Sequence, residues 1–231
     1  MKKEIKKILF LLLLTLSFNL QADPFIRFGE LVVKPEKVDV YREAIKEDIV
    51  YSMKLEKDVY TMGAMPKKDK LNDFYVIEIY KDADYEKVHR EMPHYKKFYE
   101  TTKDIFDDKK GIEIVPIFIN EAKDKFSLGD NNVVIIRNLK TSETDIKNIK
   151  DIFSKNYLLE NSEAIYVAQL KNSPQEWVII EVYKDENSMK KSHLEENHKK
   201  YKEILDSIFT DNGTYLLDGN ILENRGNLKF N

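Results

Sequence analysis

The chain has 231 residues, 42% of them hydrophobic, no cysteine and a formal net charge of −3. That length and apolar content suffice for two separate cores. The missing cysteine excludes disulfides, thiolate chemistry and lipid attachment at a cleavage-site cysteine, and a mildly acidic balance with interspersed lysines argues against a nucleic-acid partner.

Residues 1–22 read as a signal peptide. Lys2, Lys3, Lys6 and Lys7 form a basic start, Ile8 to Leu16 is almost continuously apolar, and Leu20-Gln21-Ala22 offers a small residue for cleavage. The apolar run falls short of the about 20 residues that a membrane span needs. Asp23 would then begin an exported protein, periplasmic or extracellular, with no stable membrane span. Removing residues 1–22 takes away four lysines and one glutamate and leaves the mature chain at −6.

Phe25 to Val33 reads as a strand, and Pro35 opens a helix whose Val38, Tyr41, Ile45, Ile49 and Met53 recur at helical spacing. Asp58 to Met65 and Asp73 to Tyr80 are strands separated by a polar turn. A helical region from Asp84 to Phe106 is interrupted near Pro93, and Ile112 to Ile119 is a fourth strand. The same order follows again. Asn132 to Leu139 is a strand, Ser142 with Asp145 resembles a capping box, and Ile146, Ile149 and Phe153 form an apolar helix face. Glu163 to Gln169 and Glu176 to Tyr183 are strands, Asn187 to Phe209 is helical, and Thr214 to Leu222 is the last strand. These boundaries divide the chain into a first domain at 23–120, a linker at 121–131, a second domain at 132–224 and a loosely ordered tail at 225–231.

The two domains repeat each other in their letters. All four histidines fall in two equally spaced pairs, His89/His94 and His193/His198, which lie 104 residues apart. Phe74-Tyr-Val-Ile-Glu-Ile-Tyr-Lys-Asp82 answers Trp177-Val-Ile-Ile-Glu-Val-Tyr-Lys-Asp185. A repeat of about 100 residues has the size of a small domain rather than of a solenoid unit. No G-x-G-x-x-G, phosphate-binding loop or G-x-S-x-G elbow occurs.

The order βαββαβ is the ferredoxin-like split βαβ, so the fold class is α+β, with two tandem units. Such a unit leaves one sheet face bare, and the duplicate supplies its cover. Strand alternation puts Tyr75, Ile77 and Ile79 on one face, and Val178, Ile180 and Val182 on the matching face of the second copy. These sets are expected under the helices. The opposite faces carry Glu78 and Tyr80, and Trp177, Glu181 and Tyr183, and are expected to line a cavity between the sheets.

The E-x-Y-K strand ending, followed by Val88-His-Arg-Glu-Met-Pro-His-Tyr-Lys-Lys-Phe98, resembles the antibiotic biosynthesis monooxygenase family of dimeric α+β barrels. Ser192-His-Leu-Glu-Glu-Asn-His198 keeps both histidines and lacks the proline. The resemblance covers nearly all of 25–120 and 132–222. It implies a barrel that two chains build elsewhere and that one chain builds here, as a monomeric pseudo-dimer or a further homodimer. It also implies a cofactor-independent monooxygenase acting on a quinol or other small aromatic. The alternative is a non-catalytic exported protein that binds a small hydrophobic molecule. Haem is the less favoured ligand: where the haem-degrading branch carries a tryptophan and then the iron-ligating histidine, this chain has His89 or His193, then Tyr99 or Glu203.

On this reading His89, His193, Glu78 and Glu181 are the candidate catalytic groups, since imidazole or a carboxylate raised by burial can take a phenolic proton. Tyr80, Tyr183, Asn138, Glu30, Trp177, His94 and His198 are the candidate substrate contacts. Glu30 and Asn138 occupy matching places on the first strands, a difference that suggests one working pocket. Five residues on a continuous helix leave two side chains about 140° apart, which argues against a metal held by one histidine pair. Capping and packing of the helix break is the competing role for the histidines.

Overall fold

The computed structural model describes residues 23–129, 131–142, 146–153, 162–217 and 219–230. The signal-peptide segment and the Asp145 half of the capping box lie outside them. The first unit runs β1 (Phe25–Val33), a 3-10 turn (Pro35–Lys37), α1 (Val38–Leu55), β2 (Val59–Lys67), β3 (Lys70–Tyr80), α2 (Ala83–Glu91), α3 (Pro93–Thr102) and β4 (Phe106–Glu121). The second runs β5 (Val133–Lys140), α4 (Ile146–Phe153), β6 (Ser162–Leu170), β7 (Ser173–Tyr183), α5 (Glu186–Leu194), α6 (Glu196–Ile208) and β8 (Thr210–Leu217). Two short strands, β9 (Ile221–Asn224) and β10 (Lys229–Phe230), end the chain.

The strands form one antiparallel sheet in the order β1-β3-β2-β8-β5-β7-β6-β4, closed by pairing of β4 with β1. Strand β4 joins the units. Its residues Phe106 to Glu113 pair with β1, and Ile114 to Glu121 pair with β6 of the second unit. The other seam is shorter. β8 meets β2 only at Leu217 and Lys67, and after the chain turns at Gly219 (φ 66°) β9 takes over beside β2.

The sheet faces are the reverse of the sequence expectation. Tyr75, Ile77, Ile79, Val178, Ile180 and Val182 point into the barrel, packed with Ile26, Phe28, Val134, Ile136 and Tyr166. Phe74 and Tyr80 lie under the first unit's helices, and Trp177, Ile179 and Tyr183 lie under the second's. Alternation settles which residues share a face but not which face the helices cover. The space expected to be a cavity is filled by side chains.

The repeated Lys-Asp ending does local work in both units. Asp82 accepts from the Tyr85 amide (2.8 Å) and Asp185 from the Ser188 amide (2.7 Å), so each strand ends on the N-cap of the next helix. Each helical region then breaks at one extended residue, Met92 (ψ 144°) and Glu195 (ψ 146°). The second break has no proline, so tertiary packing holds this kink as well as Pro93 does.

Residues 225–230 pack against the first unit, contrary to the expectation of a loose tail. Arg225 donates to the carbonyls of Met53, Glu56 and Val59 at 2.9, 2.7 and 2.6 Å, capping the end of α1, and β10 pairs with β4.

Candidate functional site

A partly open cavity of the first unit lies between sheet and helices, not between the sheets. Its volume is about 270 Å³, and its walls include Arg27, Tyr41, Val76, Glu78, Tyr95 and Phe98. Arg90, Lys103, Lys109 and Lys110 also line it, so a largely apolar space carries an excess of positive charge. Gly29 lies on the wall, where a Cβ would stand 2.6 Å from the Lys110 carbonyl. Only glycine lets β1 and β4 approach this closely.

Glu78 is the acidic group of this cavity. Arg27 Nη1 (3.2 Å) and the Tyr80 hydroxyl (2.9 Å) both donate to its Oε2, and neither bonds Oε1. Glu78 in turn raises the Arg27 guanidinium above its usual value. The Tyr41 hydroxyl is buried without a partner among the described residues, and burial raises it.

His89 does not reach the cavity. It is fully buried behind Tyr80 and Tyr95, with ring centroids 5.3 and 5.0 Å away. The kink at Met92 turns it and His94 onto one acceptor: His89 Nδ1 lies 2.9 Å and His94 Nε2 2.8 Å from Glu56 Oε1. Asp48 Oδ2 is 4.0 Å from His89 Nε2. Burial opposes charge on Glu56, but the two histidines outweigh it and hold the carboxyl below its ordinary value. Burial likewise opposes protonation of His89, and the bond to Glu56 with the charges of Glu78, Glu56 and Asp48 reverses this and raises it. Asp48 is pushed up to about 7 by burial.

The second unit is built differently around its matching carboxylate. Glu181 is fully buried and takes Arg137 Nε (3.2 Å) and Nη2 (3.4 Å), the Tyr183 hydroxyl (3.2 Å) and the Tyr201 hydroxyl (3.0 Å). The cavity beside it holds about 80 Å³ and is lined by Arg137, His198 and Tyr201 among others. His193 and His198 face each other with centroids 4.3 Å apart. Burial lowers both, His198 to about 4 with a further push from His193.

Of the residues expected to act together, Glu78 and Tyr80 meet, as do Glu181 and Tyr183. Glu30, Asn138 and Trp177 share a separate recess of about 170 Å³ where β1, β4, β5 and β7 converge. Asn138 Nδ2 there reaches the Tyr75 hydroxyl at 3.4 Å.

Sequence reasoning missed Arg27, Tyr41, Asp48, Glu56, Tyr95, Arg137 and Tyr201 as site residues. A signal existed for Asp48, a carboxylate in a core position of α1 between Ile45 and Ser52. No local pattern ties Glu56 to a histidine 33 residues away.

Residues 24–101 match the antibiotic biosynthesis monooxygenase family. A search among curated proteins finds no match. Among solved structures, a protein from Lactobacillus acidophilus named as a monooxygenase superposes with TM-score 0.79 at 18% identity, over 91% of this chain and 100% of that one. Another so named, from Fusobacterium nucleatum, gives 0.78 at 21% identity, over 90% and 98%. An anthrone oxidase-like protein gives 0.50 at 8% identity, over 89% and 94%. At such identities the likeness is one of fold. No helix among the described residues is long and apolar enough to cross a membrane. Through residues 24–101 the chain belongs to the antibiotic biosynthesis monooxygenase family, and its second unit repeats the same α+β architecture.

Proposed function

We propose that the protein is a monooxygenase-type oxidoreductase that oxidises a small phenolic or anthrone-like aromatic in the first unit's cavity, with molecular oxygen and no flavin or metal at the reacting carbon. The observation that carries this reading is Glu78. It is a carboxylate anchored through one oxygen, with the other free of both anchoring bonds, in the wall of an aromatic-lined space of about 270 Å³. Family membership and the fold shared with an anthrone oxidase-like protein support it.

Glu78 Oε1 would accept the proton that makes the ring electron-rich, and the Tyr41 hydroxyl and the cationic wall would hold the resulting oxyanion. The anion reduces oxygen. A ring methylene becomes a carbonyl, and the second oxygen atom leaves as water with the two methylene hydrogens. The reaction so written balances with oxygen as the only oxidant.

The test is oxygen uptake by flavin-free, chelator-treated protein with hydroquinones and anthrones, corrected for autoxidation. Turnover that falls in both Glu78→Gln and the cavity-filling Phe98→Trp supports the reading. Turnover unchanged in both variants sinks it. Ligand binding without any turnover replaces it with the binding-protein alternative.

A further inference from the structure

The cluster behind the cavity has no part in that chemistry, because none of Glu56, His89 and His94 lines the cavity. We propose that Glu56, His89 and His94 form a binding site for one divalent transition-metal ion of zinc type, which pins the end of α1 to the kink between α2 and α3.

Three observations converge on it. The first is geometry. One ligand atom from each residue lies within 4.8 Å of the other two, and both imidazole nitrogens sit 2.8–2.9 Å from the same carboxylate oxygen. Tetrahedral bonds of about 2.0–2.2 Å from a cation to imidazole nitrogen and carboxylate oxygen place neighbouring ligand atoms about 3.3–3.6 Å apart, so side-chain adjustments on the order of 1 Å complete the set.

The second is unmet bonding capacity. Glu56 Oε2 is buried with no hydrogen-bond partner among the described residues, and Glu56 and His89 are at most 1% exposed. A buried carboxylate oxygen left without a partner is costly unless something else binds there. Glu56 Oε2 can complete a bidentate carboxylate.

The third is support. Asp48 stands on the far side of the His89 ring, its Oδ2 4.0 Å from Nε2, and a small shift would give the hydrogen bond by which a carboxylate orients a ligating histidine. Two imidazoles and one carboxylate suit zinc, iron, nickel or copper better than calcium or magnesium. The helix kink makes the site. On a straight helix the two rings would diverge, and the proline-free kink in the second unit shows that the bend is part of the fold.

The test uses the full chain, stripped with chelator and dialysed against Zn²⁺, with Co²⁺ as a spectroscopic reporter. Expected are about one equivalent of Zn²⁺ per chain, imidazole-type Co²⁺ absorption, and affinity lowered about 10-fold or more in Glu56→Gln and His94→Asn. The His193→Asn/His198→Asn double variant should bind as the wild type does. Zn²⁺ should raise the wild-type melting temperature and leave that of folded His94→Asn unmoved. No uptake by the wild type, or uptake unchanged in both ligand variants, overturns the site. If a ligand variant does not fold, histidine NMR shifts of the wild type decide: Zn²⁺ must move His89 and His94 and not His193 and His198. Metal uptake and oxygen uptake are separate readings, so either proposal can fail alone.

Discussion

Tyr201 donates its hydroxyl to Glu181 across 3.0 Å inside the second unit, whereas the matching carboxylate of the first unit, Glu78, lines an open cavity. The same strand position is a structural anchor in one half and a candidate base in the other. Glu78→Gln should therefore lower kcat by about 100-fold or more, in the range of a lost general base. Tyr201→Phe should leave oxygen uptake within about twofold, and a steady-state comparison of the two variants checks both.

Arg137 should matter to stability rather than turnover. It is the cation against a fully buried Glu181. Removing one partner of such a pair strands a buried charge, so Arg137→Ala should cost about 3 kcal/mol. Denaturant unfolding of the two proteins at neutral pH measures it.

His198 predicts the direction of a pH effect. Its folded value is lowered from 6.5 to about 4. Between those pH values the unfolded chain takes up a proton that the folded chain refuses. Stability from this group is fully present above pH 6.5 and is lost as pH falls toward 4. Melting temperatures across that range should drop less steeply for His198→Asn than for the wild type. His193, shifted the same way, adds to the slope.

Arg225→Ala should loosen the far end of α1. The side chain satisfies three carbonyls there, and losing bonds from a charged donor costs about 1.5–3 kcal/mol. Faster amide exchange near residues 53–59, with the second unit unaffected, is the expected pattern.

Ile180→Ala tests the filled barrel. The side chain is 2% exposed in the inter-sheet core, so truncation should cost about 2–5 kcal/mol. KM for an aromatic substrate should stay unchanged, because the cavity lies on the other side of the sheet.

The repeated text made the architecture legible. Asp82 and Asp185 cap the same helix in both units, and alternation around Glu78 and Glu181 correctly sorted each strand into two faces. Which face met the helices was not legible, because alternation is blind to what covers it. The histidine convergence was also hidden. The argument against a shared metal assumed a straight helix, and the kink at Met92 removes that premise. Arg27 and Arg137 escaped notice for a related reason. They reach equivalent glutamates from different register positions: Arg27 is paired directly with Glu78, whereas Ile135 holds that place opposite Glu181.

The covalent joining of the halves through β4 also frees them from each other. In a dimer of identical chains every substitution appears twice, and a tyrosine that closed one chamber would close both. Here each strand always meets the same neighbour, so the second chamber could close on Tyr201 and gain rigidity while the first stayed open. The asymmetry between Glu78 and Glu181 is a form of specialisation that a barrel of two identical chains does not permit.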